Sequence, residues 1–192
     1  MEKNNKWIDD LLNIASNIDK LNDEYFKFEI KNDELINIGL RNEKELVIPE
    51  NVRKIGYKAF SLLTETETIK LPDNLNEISE YAFYMCLGLK EIVLPKKVKV
   101  IGRYAFASNY ALEEVNVLSE IKVLEEACFM NCHLLKTIYL PNTIKEIKNL
   151  AFANCESLRE IIFDGNIYEW ENINKDIKWK ENSNNINITC LK

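Results

Sequence analysis

From Leu46 to Phe163 the chain restates one pattern every 23 residues, without insertion or deletion. Pro49, Pro72, Pro95 and Pro141 hold one phase of this period, and Leu118 stands at the same phase between the last two. Ala59-Phe60, Ala82-Phe83, Ala105-Phe106, Cys128-Phe129 and Ala151-Phe152 hold another. A fixed period of this length marks a solenoid, in which a unit too small to bury its own apolar face buries it against its neighbours.

The unit from Glu91 to Glu113 shows the expected build. Glu91-Ile92-Val93-Leu94 alternates as a short strand with Ile92 and Leu94 inward, and Pro95, which lacks an N–H, ends it. Stacked units then give two inward columns, Leu46, Ile69, Ile92, Val115, Ile138, Ile161 and Ile48, Leu71, Leu94, Val117, Leu140, Phe163. A second extended piece turns Val98 and Ile101 inward, as do Val52/Ile55, Leu75/Ile78, Ile121/Leu124 and Ile144/Ile147 in the other units. Gly102 reads as the N-cap of a short helix whose buried stripe is Ala105, Phe106 and Asn109. In the column Leu63, Cys86, Asn109, Cys132, Cys155 the Asn and Cys members share small size and a polar atom, which suits a bend where backbone groups need partners.

These motifs, Ile92-x-Leu94-Pro95-x-x-Val98-x-x-Ile101-Gly102-x-x-Ala105-Phe106 with Cys86, Cys132 or Cys155 three places after the Ala-Phe pair, resemble the BspA-like leucine-rich repeats. The tail, with Gly165, Trp170, Trp179 and the alternating Ile186-x-Ile188-x-Cys190, is similar to that family's ending. The resemblance implies an α/β solenoid with a parallel β-sheet on one face and short helices on the other, and a non-enzymatic role in protein binding or adhesion. The expected organisation is a right-handed array: an N-terminal cap over residues 1–45 (a helix with Trp7, Ile8, Leu11, Leu12, Ala15 and Ile18 on one face, then a hairpin turning at Asn32-Asp33), repeats over 46–163, and a C-terminal cap over 164–192.

Chemistry is sparse. His133, the one histidine, adjoins Cys132, but Cys132 belongs to an inward column, while the phase of His133 is otherwise filled by Thr64, Leu87, Tyr110 and Glu156. That variety marks a turn surface, not a dyad. No Cys-x-x-Cys pair, histidine cluster or glycine-rich phosphate loop occurs, so neither a metal nor a cofactor is expected, nor an enzyme. A net charge of −6 argues against nucleic acid as a partner. The absence of a leader-like or membrane-spanning stretch points to a cytoplasmic location, whereas the family resemblance points to a secreted or surface one.

Two outward columns remain. The mid-strand row Val47, Lys70, Val93, Asn116, Tyr139, Ile162 changes character at each step, as a recognition surface does. Lys70, Val93, Asn116, Tyr139 and Ile162 are therefore the candidate residues for holding a protein or peptide on the concave face. Self-association through the N-terminal helix or an exposed edge is the alternative. The second column, Arg53, Asn76, Lys99, Lys122 and Lys145 with Lys96 and Lys97 nearby, is basic; it reads as a solvated face that an anionic partner is able to exploit.

Overall fold

The computed structural model describes residues 28–39, 43–183 and 185–192. The helix expected at the N-terminus lies outside these residues. Among them the chain runs β1 (Glu29–Lys31), β2 (Glu34–Asn37), β3 (Glu45–Val47), β4 (Lys54–Ile55), β5 (Thr68–Lys70), β6 (Glu77–Ile78), β7 (Glu91–Leu94), β8 (Val100–Ile101), β9 (Glu114–Val117), β10 (Val123–Leu124), β11 (Thr137–Pro141), β12 (Glu146–Ile147), β13 (Glu160–Asp164), helix α1 (Ile167–Glu171), β14 (Asn174–Lys175) and β15 (Asn187–Cys190). The result is a parallel β-solenoid of about seven turns with little helix.

Its first wall is a seven-stranded sheet in the order β3-β5-β7-β9-β11-β13-β15. Ile92 lies opposite Val115, Val115 opposite Ile138, and Ile138 opposite Ile161, as stacking at the repeat period requires. Both inward columns are buried from end to end. A buried Leu or Ile contributes about 1.5–3 kcal/mol, so the columns alone account for a large favourable term.

The second wall consists of two-residue strands. β4, β6 and β8 stack on the hairpin β1–β2, which turns at Asn32 and Asp33 with φ of 49° and 63°, the left-handed pair that tight hairpins use. β10, β12 and β14 form a separate three-stranded stack. β8 and β10 do not pair, and the wall is interrupted there.

The third wall corrects the expectation of helices on the far side. Residues 103–108 and their equivalents are tight turns. Each repeat carries two left-handed residues here, Lys58/Leu62, Tyr81/Met85, Tyr104/Ser108, Ala127/Asn131 and Leu150/Asn154, and a helix does not pass through positive φ. The amides bond to the next turn of the solenoid instead: Tyr104 N–H to the Glu126 carbonyl (3.1 Å), Phe106 to Cys128 (2.9 Å) and Ser108 to Met130 (2.7 Å). Gly102 has no positive φ, and it precedes a turn, not a helix. Ala105, Phe106 and Asn109 are nonetheless buried, because both conformations place them on the inner side.

Five of the six phenylalanines buried among the described residues form one column. Phe60–Phe83, Phe83–Phe106, Phe106–Phe129 and Phe129–Phe152 stack at centroid distances of 4.6, 4.9, 5.3 and 5.7 Å. Trp179 stands edge-on to Phe152 at 6.0 Å, and Trp170, from α1, stands edge-on to Phe163 at 5.5 Å. Gly165 permits the bend into α1, since a Cβ there would lie 2.4 Å from the Phe163 ring. β15 pairs in parallel with β13, Ile161 opposite Ile188, so the tail lays one more strand on the first wall.

Candidate functional site

The column that begins at Leu63 proves to be a chain of backbone partners. The thiols of Cys86, Cys132 and Cys155 donate to the carbonyls of Phe60, Phe106 and Phe129 in the preceding turn, at 3.0, 3.2 and 3.1 Å. Asn109 does two jobs: its amide donates to the Phe106 carbonyl (2.8 Å) and its oxygen accepts from the Cys86 N–H (2.7 Å). Ser183 repeats the double role in the last turn, donating to Phe152 and accepting from Cys155 N–H. Its spacing of 28 residues from Cys155 hides it from a search at the fixed period. All these thiols are free, and burial pushes the Cys86, Cys132 and Cys155 thiols upward, away from the reactive thiolate. Cys128 is buried and likewise raised.

His133 does not face Cys132. Its ring lies beside Tyr110 at 5.3 Å and its Nδ1 is 3.6 Å from a Glu156 oxygen, both on the surface. The residues for a nucleophile and its base are adjacent in sequence but are not brought together. Among the described residues no group of three or more His, Cys, Asp or Glu is placed to hold a metal ion, and no helix is long and apolar enough to cross a membrane.

The outer face of the first wall carries the varied row. Val93 lies opposite Asn116, Asn116 opposite Tyr139, Tyr139 opposite Ile162, and Ile162 opposite Thr189. Thr68 opposite Glu91 sets the register that puts Lys70 beside Val93. Val47, Lys70 and Val93 are exposed, while Asn116, Tyr139 and Ile162 are half-buried between their neighbours. Beside this row runs a second outward one, Glu91, Glu114, Thr137 and Glu160, closed by the Thr189 hydroxyl donating to Glu160 (2.6 Å). The wall thus offers a strip of apolar, aromatic and polar side chains with carboxylates along one side.

Charge is compensated on one column and not on another. Lys44, Glu67 and Lys90 join at 3.1 and 2.5 Å, and Glu113 and Lys136 at 2.5 Å. Hydrogen bonds from Lys90 and Lys44 hold the Glu67 carboxyl below its ordinary value, and Lys136 does the same for Glu113. Lys99, Lys122 and Lys145 are exposed and have no such partners among the described residues. Sequence reasoning singled out the basic column. The alternating one was legible in the same way, from opposite charges at the repeat spacing.

A family model described as BspA type leucine rich repeat region matches residues 38–159 in six copies. No curated protein matches the chain. A solved leucine rich cell surface protein from Faecalibacterium prausnitzii is 26% identical, with a TM-score of 0.73 over 77% of this chain and 40% of that one. A leucine-rich repeat protein from Eubacterium ventriosum is 20% identical (TM-score 0.71, covering 82% and 48%), and the pneumococcal vaccine antigen PcpA is also 20% identical (TM-score 0.61, covering 85% and 46%). The chain therefore spans less than half the length of each of these proteins, and the likeness to the last two is one of fold.

Proposed function

The chain belongs to the BspA-type leucine-rich repeat family, and from that premise we propose that it is a non-enzymatic protein-interaction module that holds a protein or peptide on the outer face of its seven-stranded sheet. One observation carries the reading: Val93, Asn116, Tyr139 and Ile162 stand in register on a rigid wall, and their chemistry varies while the columns behind them stay apolar. Tyr139 and Ile162 are the anchors, because a half-buried aromatic beside an aliphatic gives contact area at low entropic cost. Lys70 and Asn116 supply polar contacts at either side of Val93.

The face is concave in this reading. The winding is right-handed, the hand that parallel crossovers favour. The hairpin and the Trp170–Trp179 segment serve as end covers, consistent with the packing of both indoles at the last turn. A cell-surface setting is the better of the two locations, supported by the cell-surface and vaccine-antigen descriptions of the similar structures.

The test is capture of partner from the surface proteins and peptides of the native setting, with the double variant Tyr139→Ser/Ile162→Ser. Capture should be lost while circular dichroism and thermal midpoint stay near wild type. Undiminished capture by the folded variant refutes the proposal.

A further inference from the structure

The interruption of the second wall falls at the turn where leucine takes the place of proline. Where proline holds its phase, the turn after the first-wall strand is closed by a bond from the residue three places on: Val98 N–H to the Pro95 carbonyl (3.1 Å) and Ile144 to Pro141 (3.3 Å). Leu118 replaces that proline, and Ile121 makes no such bond. Leu118 instead gives its own N–H to the Leu94 carbonyl (3.1 Å), which a proline is unable to do. The ladder between β7 and β9 runs one residue further, and residues 118–122 leave on a different path. Ser119, on that path, is buried with its hydroxyl unpartnered.

In the same turn two backbone rungs are missing. Lys99 N–H bonds to the Asn76 carbonyl and Gly102 N–H to the Ile78 carbonyl, both at 2.8 Å, and on the far side Lys145 bonds to Lys122 (2.8 Å) and Lys148 to Leu124 (2.9 Å). Between β8 and β10 no counterpart joins Lys122 to Lys99 or Glu125 to Ile101. The opening is a cleft of about 670 Å³. One lip carries the carbonyls of Lys99 and Ile101, the other the amides of Lys122 and Glu125. Lys96, Lys97, Lys99 and Lys122 line it against only Glu120 and Glu125, a surplus of two positive charges. Of the four lysines only Lys97 has a side-chain partner among the described residues, Asn74 at 2.6 Å. A second cleft of about 540 Å³ adjoins it through Lys96 and Lys97 and presents the exposed Leu118 and Val93.

We propose that this opening is a second binding site, distinct from the anchors Tyr139 and Ile162, and that its occupant is an extended acidic peptide. An extended backbone brings donors and acceptors together at strand spacing, so it answers both lips. A free anion would satisfy the amides and lysines but leave the carbonyls of Lys99 and Ile101 unmet. Acidic side chains of the peptide meet the lysines, and an apolar one rests on Leu118.

The probe is a fluorescein-labelled hexapeptide of alternating Glu and Val, blocked at both ends, read by fluorescence polarisation beside the matching Lys–Val peptide. The Glu–Val peptide should bind more tightly, and on binding the amides of Lys122 and Glu125 should become protected from hydrogen exchange. The variant Lys96→Glu/Lys99→Glu/Lys122→Glu should weaken binding by about ten-fold or more. Leu118→Pro, which restores the residue of the other turns, should close the opening and abolish binding. Tyr139→Ser/Ile162→Ser should bind the probe as wild type does, which separates this site from the sheet face. Equal binding of the two peptides, or wild-type binding by the folded charge-reversed or Leu118→Pro variant, overturns the proposal. Protection of the same amides by inorganic phosphate alone, or loss of binding in the Tyr139/Ile162 variant, overturns it too.

Discussion

Raising the pH should unfold this protein through its own interior. Cys86, Cys128, Cys132 and Cys155 are buried, and desolvation pushes each thiol up from an ordinary value of about 9, Cys155 to about 12 and the others also far upward. In the unfolded chain all four ionise near their ordinary value. Below that value both states keep their protons, and the stabilisation is fully present. Above it only the unfolded chain releases them, so stability falls until the folded thiols ionise as well, near 12 for Cys155. Each thiol contributes a slope of about 1.4 kcal/mol per pH unit, and four together on the order of 5 kcal/mol per unit. A domain with about 5–15 kcal/mol to lose should therefore be close to unfolding within about one to three units above pH 9. The assay is the urea midpoint by circular dichroism at half-unit steps from about pH 7 to 10.5, where a flat region should give way to a steep fall. Cys128→Ala restores the alanine of the other four turns and should remove one proton's worth of slope. Adding Cys155→Ser, a residue that Ser183 shows this column to accept, should remove a second. If wild type and the double variant fall with the same slope, the thiols are not responsible and the reasoning fails.

Leu94 and Val93 are neighbours on opposite faces of β7, one buried and the other exposed. Leu94→Ala should cost about 2–5 kcal/mol by denaturant titration and Val93→Ala under about 1 kcal/mol, since only the first leaves a cavity. Asn109→Leu removes the acceptor of Cys86 N–H and the donor to Phe106, so the change should cost roughly 2–3 kcal/mol. Asn109→Cys, the residue of the neighbouring turns, should cost less, and equal losses would show that the column's hydrogen bonds contribute nothing.

The apolar columns were legible because a 23-residue period, once stacked, admits one register, and Ile92 opposite Val115 follows without further information. The third wall was not. Ala105, Phe106 and Asn109 fit the inner side of a helix and of a tight turn equally well. What separates them is positive φ at Tyr104 and Ser108, and neither residue advertises it; only Asn131 and Asn154 do. The final turn escaped because α1 lengthens it, moving Ser183 out of phase with Cys155. Leu118 was visible at the proline phase. Its effect was not, because the loss of the Ile121 turn bond and of the rungs between β8 and β10 depends on a ladder that only the folded chain displays. The outward row was placed by alternation alone, and the half-burial of Tyr139 depends on the neighbours laid beside it.

The phenylalanine column and the amide ladder beside it obey one rule at each step: a ring lies on the ring before it, and an N–H reaches the carbonyl of the following turn. On this wall any of the five turns is therefore a valid neighbour for another, as one brick of a course fits the next. Excision or duplication of a whole 23-residue block would reseal this wall with matched donors, acceptors and aromatic contacts, whereas a change of any other length would leave them misaligned. Such a molecule is free to alter its reach in quanta of one strand spacing, about 4.8 Å, without inventing a new joint.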